Sequence, residues 1–577
     1  MVSLGDSPSL GSARAVATAK LTQTNQSSER SPLLSSGGEA SEPPQQKTGF
    51  RSSRVREIAF FAWGLLATAA FIVAAVWIQH GAQTDHSKVA AKRNLVFMVS
   101  DGMGPAPLSL TRSYRQYINN LPEGDTLVLD QHFWGTSRTR SSNSLVTDSA
   151  AGATAFSCGL KSYNGAISVL PDLEPCGSVM EAAKRKGYTT GLVVTTDITD
   201  ATPACFVSHV LKREMQDSIA LQEVGEGVLG RSVDLMLGGG RCHFLPNTTE
   251  GGCRADDVDV TRLAQEKHGW TYANDRKGFD ALEGGNKVKL PFLGLFAERD
   301  VPFEIDRQKK NDMYPSLSEM ATAALRALEK ETKNSDKGFF LMIEGSRIDH
   351  AGHYNDPAAQ VREVLEFDKT FKAVLDFIAS SKTETVLVST SDHETGGLAL
   401  ALQEPGHLPV YNWYPRALAN ASSSAEFLAS ELRTYAASTT SSRADLKRWI
   451  NEELVIPGLG ISNASDDELS ALADNAEAAV EVFSAIISLR AHVGWSTHGH
   501  TAVDVNIYSS GGPGTEKIRG NVENTDVGKF LRNYLDVDVD EITKELREKT
   551  EKPGAAAQSM LAEQRGAVES YHVQEKA

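Results

Sequence analysis

The sequence predicts an α/β protein: a three-layer α/β/α sandwich around a large, mostly parallel sheet, with one membrane-spanning helix ahead of it. Three observations carry this. First, short apolar runs recur at 95–99 (LVFMV), 191–195 (GLVVT), 233–237 (VDLML), 339–343 (FFLMI) and 386–389 (VLVS), with helix-like stretches such as MEAAKRKG and residues 358–380 between them. Runs that are apolar throughout, rather than alternating, belong to strands covered on both faces, the signature of a parallel sheet. Second, nearly every run ends at an acid or a glycine turn, and open parallel sheets bind ligands at the carboxyl ends of their strands. Third, residues 58–78 carry no charge, and about 20 apolar residues span a bilayer.

In chain order, residues 1–57 are rich in Ser, Gly, Gln and Pro and predict a disordered tail. Within it, Glu29 stands four positions before the Leu33–Leu34 pair, the pattern of an acidic dileucine sorting signal read by clathrin-adaptor complexes. Residues 58–78 form the anchor. Arg51, Arg54 and Arg56 precede it and no cation immediately follows it, so the positive-inside rule places the N-terminus in the cytosol and the rest across the membrane, a single-pass type II arrangement. Its distance from the N-terminus argues against a cleaved signal peptide. Residues 92–545 form the lumenal body. Inside it, 402–485 are rich in Ala, Ser, Glu and Leu and predict a helical, crown-like insertion. Residues 550–577 predict a polar, flexible tail.

A formal charge of −16 and a pI near 5.4 exclude a basic nucleic-acid footprint. An anionic substrate would need a local positive field, which metal ions provide. The five cysteines contain no CxxC pair, which argues against a thiolate zinc site. Cys242 and Cys253 share a Gly-rich loop and are a disulfide candidate in an oxidising compartment, and at least one cysteine is left over. Asn247, Asn420 and Asn463 begin glycosylation sequons on the predicted lumenal side; Asn25 begins one in the tail.

Five segments carry chemistry. Asp101-Gly-Met-Gly ends the first strand, where a carboxylate can bridge hard cations or simply cap a turn. Ser149 opens the small-residue run SAAGATA; the start of a helix presents free N–H groups to phosphate oxygens, although a serine there is also an ordinary cap. Asp200-Ala-Thr202, then Arg213, follow the second strand. A hydroxyl beside a carboxylate suits magnesium, and a guanidinium can clamp a phosphate or sit in an ion pair. Glu344-Gly-Ser-Arg-Ile-Asp349-His350-Ala-Gly-His353 places Asp349 and His353 on one face of a helix, a carboxylate–imidazole set suited to zinc. Asp392-His393 ends a further strand, and His498 and His500 lie far downstream in WSTHGHTAVDV.

Taken together, DGMG, TDSAAGATA, DATP, EGSRIDHAGH, SDHETGG and WSTHGHTAVDV resemble the alkaline phosphatases, over about residues 94–526. The single anchor near the N-terminus is similar to the fungal vacuolar branch. The resemblance implies hydrolysis of phosphate monoesters with broad specificity, in the lumen of the vacuole, by a membrane-anchored homodimer holding two zinc ions and one magnesium ion per subunit. It implies that Ser149 becomes phosphoserine and that Arg213 clamps the phosphate. One zinc would be held by Asp349, His353 and His500, the other by Asp101, Asp392 and His393. Magnesium would take Asp101, Thr202 and Glu344, with Asp200 at a neighbouring position. Two positions depart from a single pattern: Asp200 follows the bacterial members, while His350 replaces their lysine. His500 is preferred to His498 because its HTxxDV spacing fits.

Two other readings compete. A diesterase, sulfatase-like or mutase-like relative would keep the metal sites, but the serine, Arg213 and a third metal set argue against it. A catalytically dead lumenal receptor would have lost a nucleophile or ligands, and every expected position is filled. A transporter is excluded by the single span.

Overall fold

The computed structural model describes residues 51–84 and 92–550, in two units. The first contains the helix Arg51–Thr84. Its segment Val55–Val73 is long and apolar enough to cross a membrane. Phe60, Phe61 and Trp63 are all exposed on it. The tail with its Leu33–Leu34 signal and Asn25 lies outside the described residues.

The second unit is built on a twelve-strand set: β1 Arg93–Val99, β2 Phe133–Arg138, β3 Thr189–Asp197, β4 Leu235–Gly239, β5 Thr271–Ala273, β6 Phe292–Leu295, β7 Phe339–Glu344, β8 Glu384–Thr390, β9 Glu394–Thr395, β10 His500–Thr501, β11 Val505–Ser509 and β12 Gly520–Glu523. Ten form one sheet in the order β12-β2-β11-β8-β1-β7-β3-β4-β6-β5; β9 and β10 pair separately. Every pairing in the large sheet is parallel except those of β11, which runs antiparallel to both β2 and β8.

Alternation within each apolar run fills two cores. Leu95, Phe97 and Val99 of β1 join Leu192, Val194, Phe340, Met342, Val386 and Val388 on one face. Val96 and Met98 join Val193, Leu341, Ile343 and Leu387 on the other. The first face is covered by the helices Val179–Arg185, Asn524–Leu535 and Val539–Lys549, the second by Leu317–Thr332 and Pro357–Ser380. This is the three-layer sandwich, each layer hydrophobic where it meets the next. The third predicted run shifts by two residues, to β4: Val233 and Asp234 precede the strand, and Gly238 and Gly239 lie inside it. A third core gathers the helices Pro415–Asn420, Ala425–Ser438 and Ala479–Ala491 around Leu432, Leu472 and Phe483.

Two disulfides form, Cys242–Cys253 and the unanticipated Cys158–Cys176, leaving Cys205 free and buried. Asn247, Asn420 and Asn463 are exposed.

Candidate active site

Parallel register brings the strand ends to one level. Val99 of β1 lies opposite Glu344 of β7 on one side and Thr390 of β8 on the other. Asp101, Glu344 and Asp392 therefore emerge side by side. The turn after β1 demands glycine: Gly102 has φ +72°, and a Cβ there would lie 2.6 Å from the Cα of Asp349. After β7 the chain enters the helix Arg347–His353, which stacks Asp349 and His353 one turn apart, with His353 Nε2 3.3 Å from Asp349 Oδ2. His500 arrives from far downstream because β10 pairs antiparallel with β9, setting His500 opposite Thr395.

Ser149 is the first residue of the helix Ser149–Ser157, but it is not the cap. Asp148 is: its Oδ1 accepts the Ala151 N–H at 3.0 Å. The serine hydroxyl is thereby left available and sits 3.0 Å from His393 Nε2. Asp148 Oδ2 also accepts the Gly165 N–H at 2.9 Å and lies 3.5 Å from Arg213 Nη1. Arg213 Nη2 donates to Asp200 Oδ1 at 2.9 Å, so two carboxylates hold the guanidinium fork. Asp200 Oδ1 also accepts the Ala201 N–H, capping the helix Ala201–Val207 that carries Thr202.

Two compact groups of donors result, Asp101 with Asp392 and His393, and Asp349 with His393 and His500. The tautomers follow from the partners. His500 Nδ1 faces the Thr147 carbonyl at 2.8 Å and His353 Nδ1 faces the His498 carbonyl, so both Nδ1 atoms carry the proton. Their Nε2 lone pairs then point at each other across 3.1 Å, beside Asp349. His393 Nδ1 donates to Thr395 Oγ1 at 3.1 Å, and Thr395 donates to Asp349 Oδ1. The His393 Nε2 lone pair is therefore turned toward Asp392 Oδ2 at 3.2 Å and Asp101 Oδ1 at 3.4 Å. Lone pairs facing lone pairs and carboxylates repel unless a proton or a cation sits among them, and an imidazole whose other nitrogen is held by a carbonyl or hydroxyl is the usual metal ligand. Asp101 Oδ1, Asp392 Oδ2 and the Thr202 hydroxyl are buried without a hydrogen-bond partner, which fits the same conclusion. The donor set of carboxylates and imidazoles suits zinc, and the Thr202 and Glu344 oxygens suit magnesium.

Electrostatics agree with the geometry. Burial, reinforced by Asp392 and Asp349, pushes the Asp101 carboxyl well above its ordinary range. Burial lifts Glu344 to about 8, with the charges of Asp200 and Asp392 adding to it. Burial and the neighbouring His393 lower His500 to about 4. Burial would raise Asp349 and Asp392 as well, but His353 and His393 outweigh it and hold Asp349 well below, and Asp392 below, the ordinary carboxylate range; Asp101 and Glu344 are the acids that further positive charge would ionise. His350 belongs to neither donor group and pairs with Asp300. Burial would lower its pKa, but Asp300 Oδ2, 3.2 Å from Nδ1, outweighs that and raises it to about 9. His498 stays outside the donor groups, its Nδ1 on the His353 carbonyl. The Cys242–Cys253 pair with His243 makes a third donor group, but its sulfurs are joined to each other.

Three residues of the site had not been singled out. Asp148 was readable as an Asx cap three residues before a free amide. Thr395 and Asp300 carry no local signal, because their roles depend on strand pairing and on a distant helix.

The site's layout has relatives. The alkaline phosphatase family model matches residues 92–537. A repressible alkaline phosphatase of Saccharomyces cerevisiae is 52% identical over 501 residues, 83% of this chain and 88% of that protein. An alkaline phosphatase of Schizosaccharomyces pombe is 43% identical over 525 residues, 90% of this chain and 94% of that one. Among solved structures, the cold-active enzyme of a Shewanella species aligns with TM-score 0.63 at 30% identity, over 77% of this chain and 99% of that one. The Thermus thermophilus alkaline phosphatase aligns with TM-score 0.64 at 26% identity, over 80% and 96%. Sheet order, strand-end donors and sequence thus point the same way, and the chain belongs to the alkaline phosphatase family.

Proposed function

We propose that this chain hydrolyses phosphate monoesters of broad type through a phosphoserine formed on Ser149. The observation that carries the reading is the Ser149 hydroxyl, released from capping by Asp148 and held 3.0 Å from His393 Nε2 where the two donor groups meet. Metal dependence follows from the family and from the donor chemistry. Asp349, His353 and His500 would hold one zinc, and Asp101, Asp392 and His393 the other. Thr202, Glu344 and Asp101 would hold magnesium, with Asp200 beside them. A histidine-to-aspartate mutant of the TAB5 alkaline phosphatase, 25% identical with TM-score 0.52, has Mg bound in its M3 site, which supports a magnesium position in this fold. When bound, such cations neutralise phosphoryl charge and ease loss of a proton from hydroxyl or water.

The protein's own residues position the reactants. With the Ala151 N–H taken by Asp148, the Ser149 and Ala150 amides at the start of the helix Ser149–Ser157 are the ones left for an incoming phosphate. Arg213, its fork held by Asp148 and Asp200, supplies paired donors to two equatorial oxygens. Ser149 Oγ bonds to phosphorus as the alcohol oxygen leaves in line; water then displaces the serine, releasing phosphate. Placement and charge are most of what phosphoryl transfer requires.

Ser149→Ala tests this. Turnover of a chromogenic monoester should fall by at least ~10³-fold, with bound zinc and magnesium unchanged by elemental analysis. Full activity would remove Ser149 as nucleophile. A chelator should abolish wild-type activity and zinc plus magnesium restore it; faster diester than monoester turnover would favour the diesterase reading.

The same proposal extends to the chain's organisation. Residues 58–78 anchor it as a type II protein of the vacuole membrane, 92–545 form the lumenal catalytic body, and 402–485 form its insertion. Residues 1–57 expose the dileucine-type signal to a clathrin-adaptor complex, and 550–577 form the tail. The active form is a homodimer, glycosylated at Asn247, Asn420 and Asn463.

A further inference from the structure

The helix Arg347–His353, which carries Asp349 and His353, is fastened at both ends to one spot in the helical region at 402–485. At its start, Arg347 is 3% exposed. Its Nη2 donates to both carboxylate oxygens of Glu426, at 2.9 Å and 3.1 Å, and its Nη1 donates to the Val301 carbonyl at 3.1 Å. Phe303 covers a face of the guanidinium, its ring centroid 3.8 Å from Cζ. Just past the helix, the buried Asp356 accepts the Ala358 and Ala359 N–H groups through Oδ1 and the Ala425 N–H through Oδ2, the last at 2.8 Å. Residues 425 and 426 thus hold residues 356 and 347, on either side of Asp349 and His353. The anchor is itself firm: Ala425 and Glu426 open the helix Ala425–Ser438, which buries Leu428 and Leu432 in the third core.

A buried guanidinium is a poor device for stability. Desolvation offsets most of what such a pair gains, and apolar residues of similar volume often replace it without loss. What the pair supplies is direction. A planar fork held by Glu426, the Val301 carbonyl and Phe303 permits one placement of Arg347, and Asp349 follows on the same turn of helix. The other donor group has different support. Asp101 and Asp392 emerge from β1 and β8, which pair with each other along their whole length, so the sheet sets their separation.

We propose that Arg347 and Glu426 are positioning residues for the donor group of Asp349, His353 and His500, through which the helical region tunes one metal position and not the other. The inference rests on the metal reading given above.

The full-length chain in detergent is compared with Glu426→Ala and with the paired change Arg347→Met and Glu426→Leu. Zinc is titrated against a chromogenic chelator, with magnesium present and no substrate, and melting is followed on the metal-free proteins. Glu426→Ala strands the guanidinium and should lower both zinc affinity and melting temperature. The paired apolar change should bring the melting temperature back to that of wild type. One of its zinc ions should nevertheless be held at least ~10-fold more weakly, the effect of losing a group that orients a ligand, with the other unchanged. Hydrogen exchange should place the difference: amides of 347–356 several-fold faster, those at the ends of β1 and β8 as in wild type. In either variant, equal weakening of both zinc ions, or of neither, would overturn the proposal, because the pair would then serve the fold alone. A wild type that takes up no zinc would overturn the metal reading itself, and the proposal with it, before any variant is compared.

Discussion

The strand-end site and the helical region at 402–485 solve opposite problems. In the helical region three helix starts are satisfied by a neighbouring side chain. Ser424 accepts the Phe427 N–H, Ser442 accepts that of Asp445, and Ser465 forms a reciprocal capping box with Glu468. Its charges pair at the surface, as in Arg443–Asp474. At the strand ends, Asp101 Oδ1, Asp392 Oδ2 and the Thr202 hydroxyl are buried with no partner, each a cost of about 1–3 kcal/mol. One region is assembled for stability. The other tolerates frustration that bound cations relieve.

That contrast can be broken in order of expected effect. Gly152→Ala would press a Cβ to 2.9 Å from Asp392 Cβ. Monoester turnover should drop about 100-fold, since displacements near 1 Å in a site have that effect, and steady-state kinetics would measure it. Retained activity would mean that the donor carboxylate is free to move. Asp101→Asn removes a carboxyl that burial holds well above its normal range. Without metal the variant should melt a few degrees above wild type, and with zinc the order should reverse. A variant less stable in both states would end the frustration argument.

Glu363→Gln addresses pH. Burial raises this carboxyl to about 8 in the folded state, against about 4.3 unfolded. A folded pKa raised in this way means stability fully present below about 4.3 and lost as pH rises toward 8. The variant should flatten that decline in urea titrations between those limits. Arg443→Ala should be the smallest: its pair with Asp474 is fully exposed, and neither melting temperature nor activity should move measurably.

How much of this was legible depended on whether a residue's role was local. Runs such as LVFMV and FFLMI announced β1 and β7, because strands buried on both faces have no polar positions. FWGTSR, VNIYS and GNVE did not announce β2, β11 and β12: near the sheet's edge, strands are short and half polar. The single antiparallel strand of the large sheet, β11, was invisible for the same reason. In the site, Asp101, Asp392 and His393 stood out because each follows a strand directly. Thr395 did not; its hydroxyl matters only because His393 and Asp349 approach it from two separate segments. Cys158–Cys176 was equally hidden, since the loops that bring the two thiols together carry no pattern of their own.

The helix that begins at Ser149 has a further consequence. All nine of its residues are buried, and all but Phe156 are small. Nowhere along it can a substitution drift harmlessly at the water's edge, and any added bulk is felt at once by a neighbouring segment. The nucleophile's helix is therefore a poor starting point for adaptation. Changes of substrate preference, in nature or under laboratory selection, should accumulate in the half-exposed loop that carries Arg213 and in the region at 402–485, with the helix itself left unaltered.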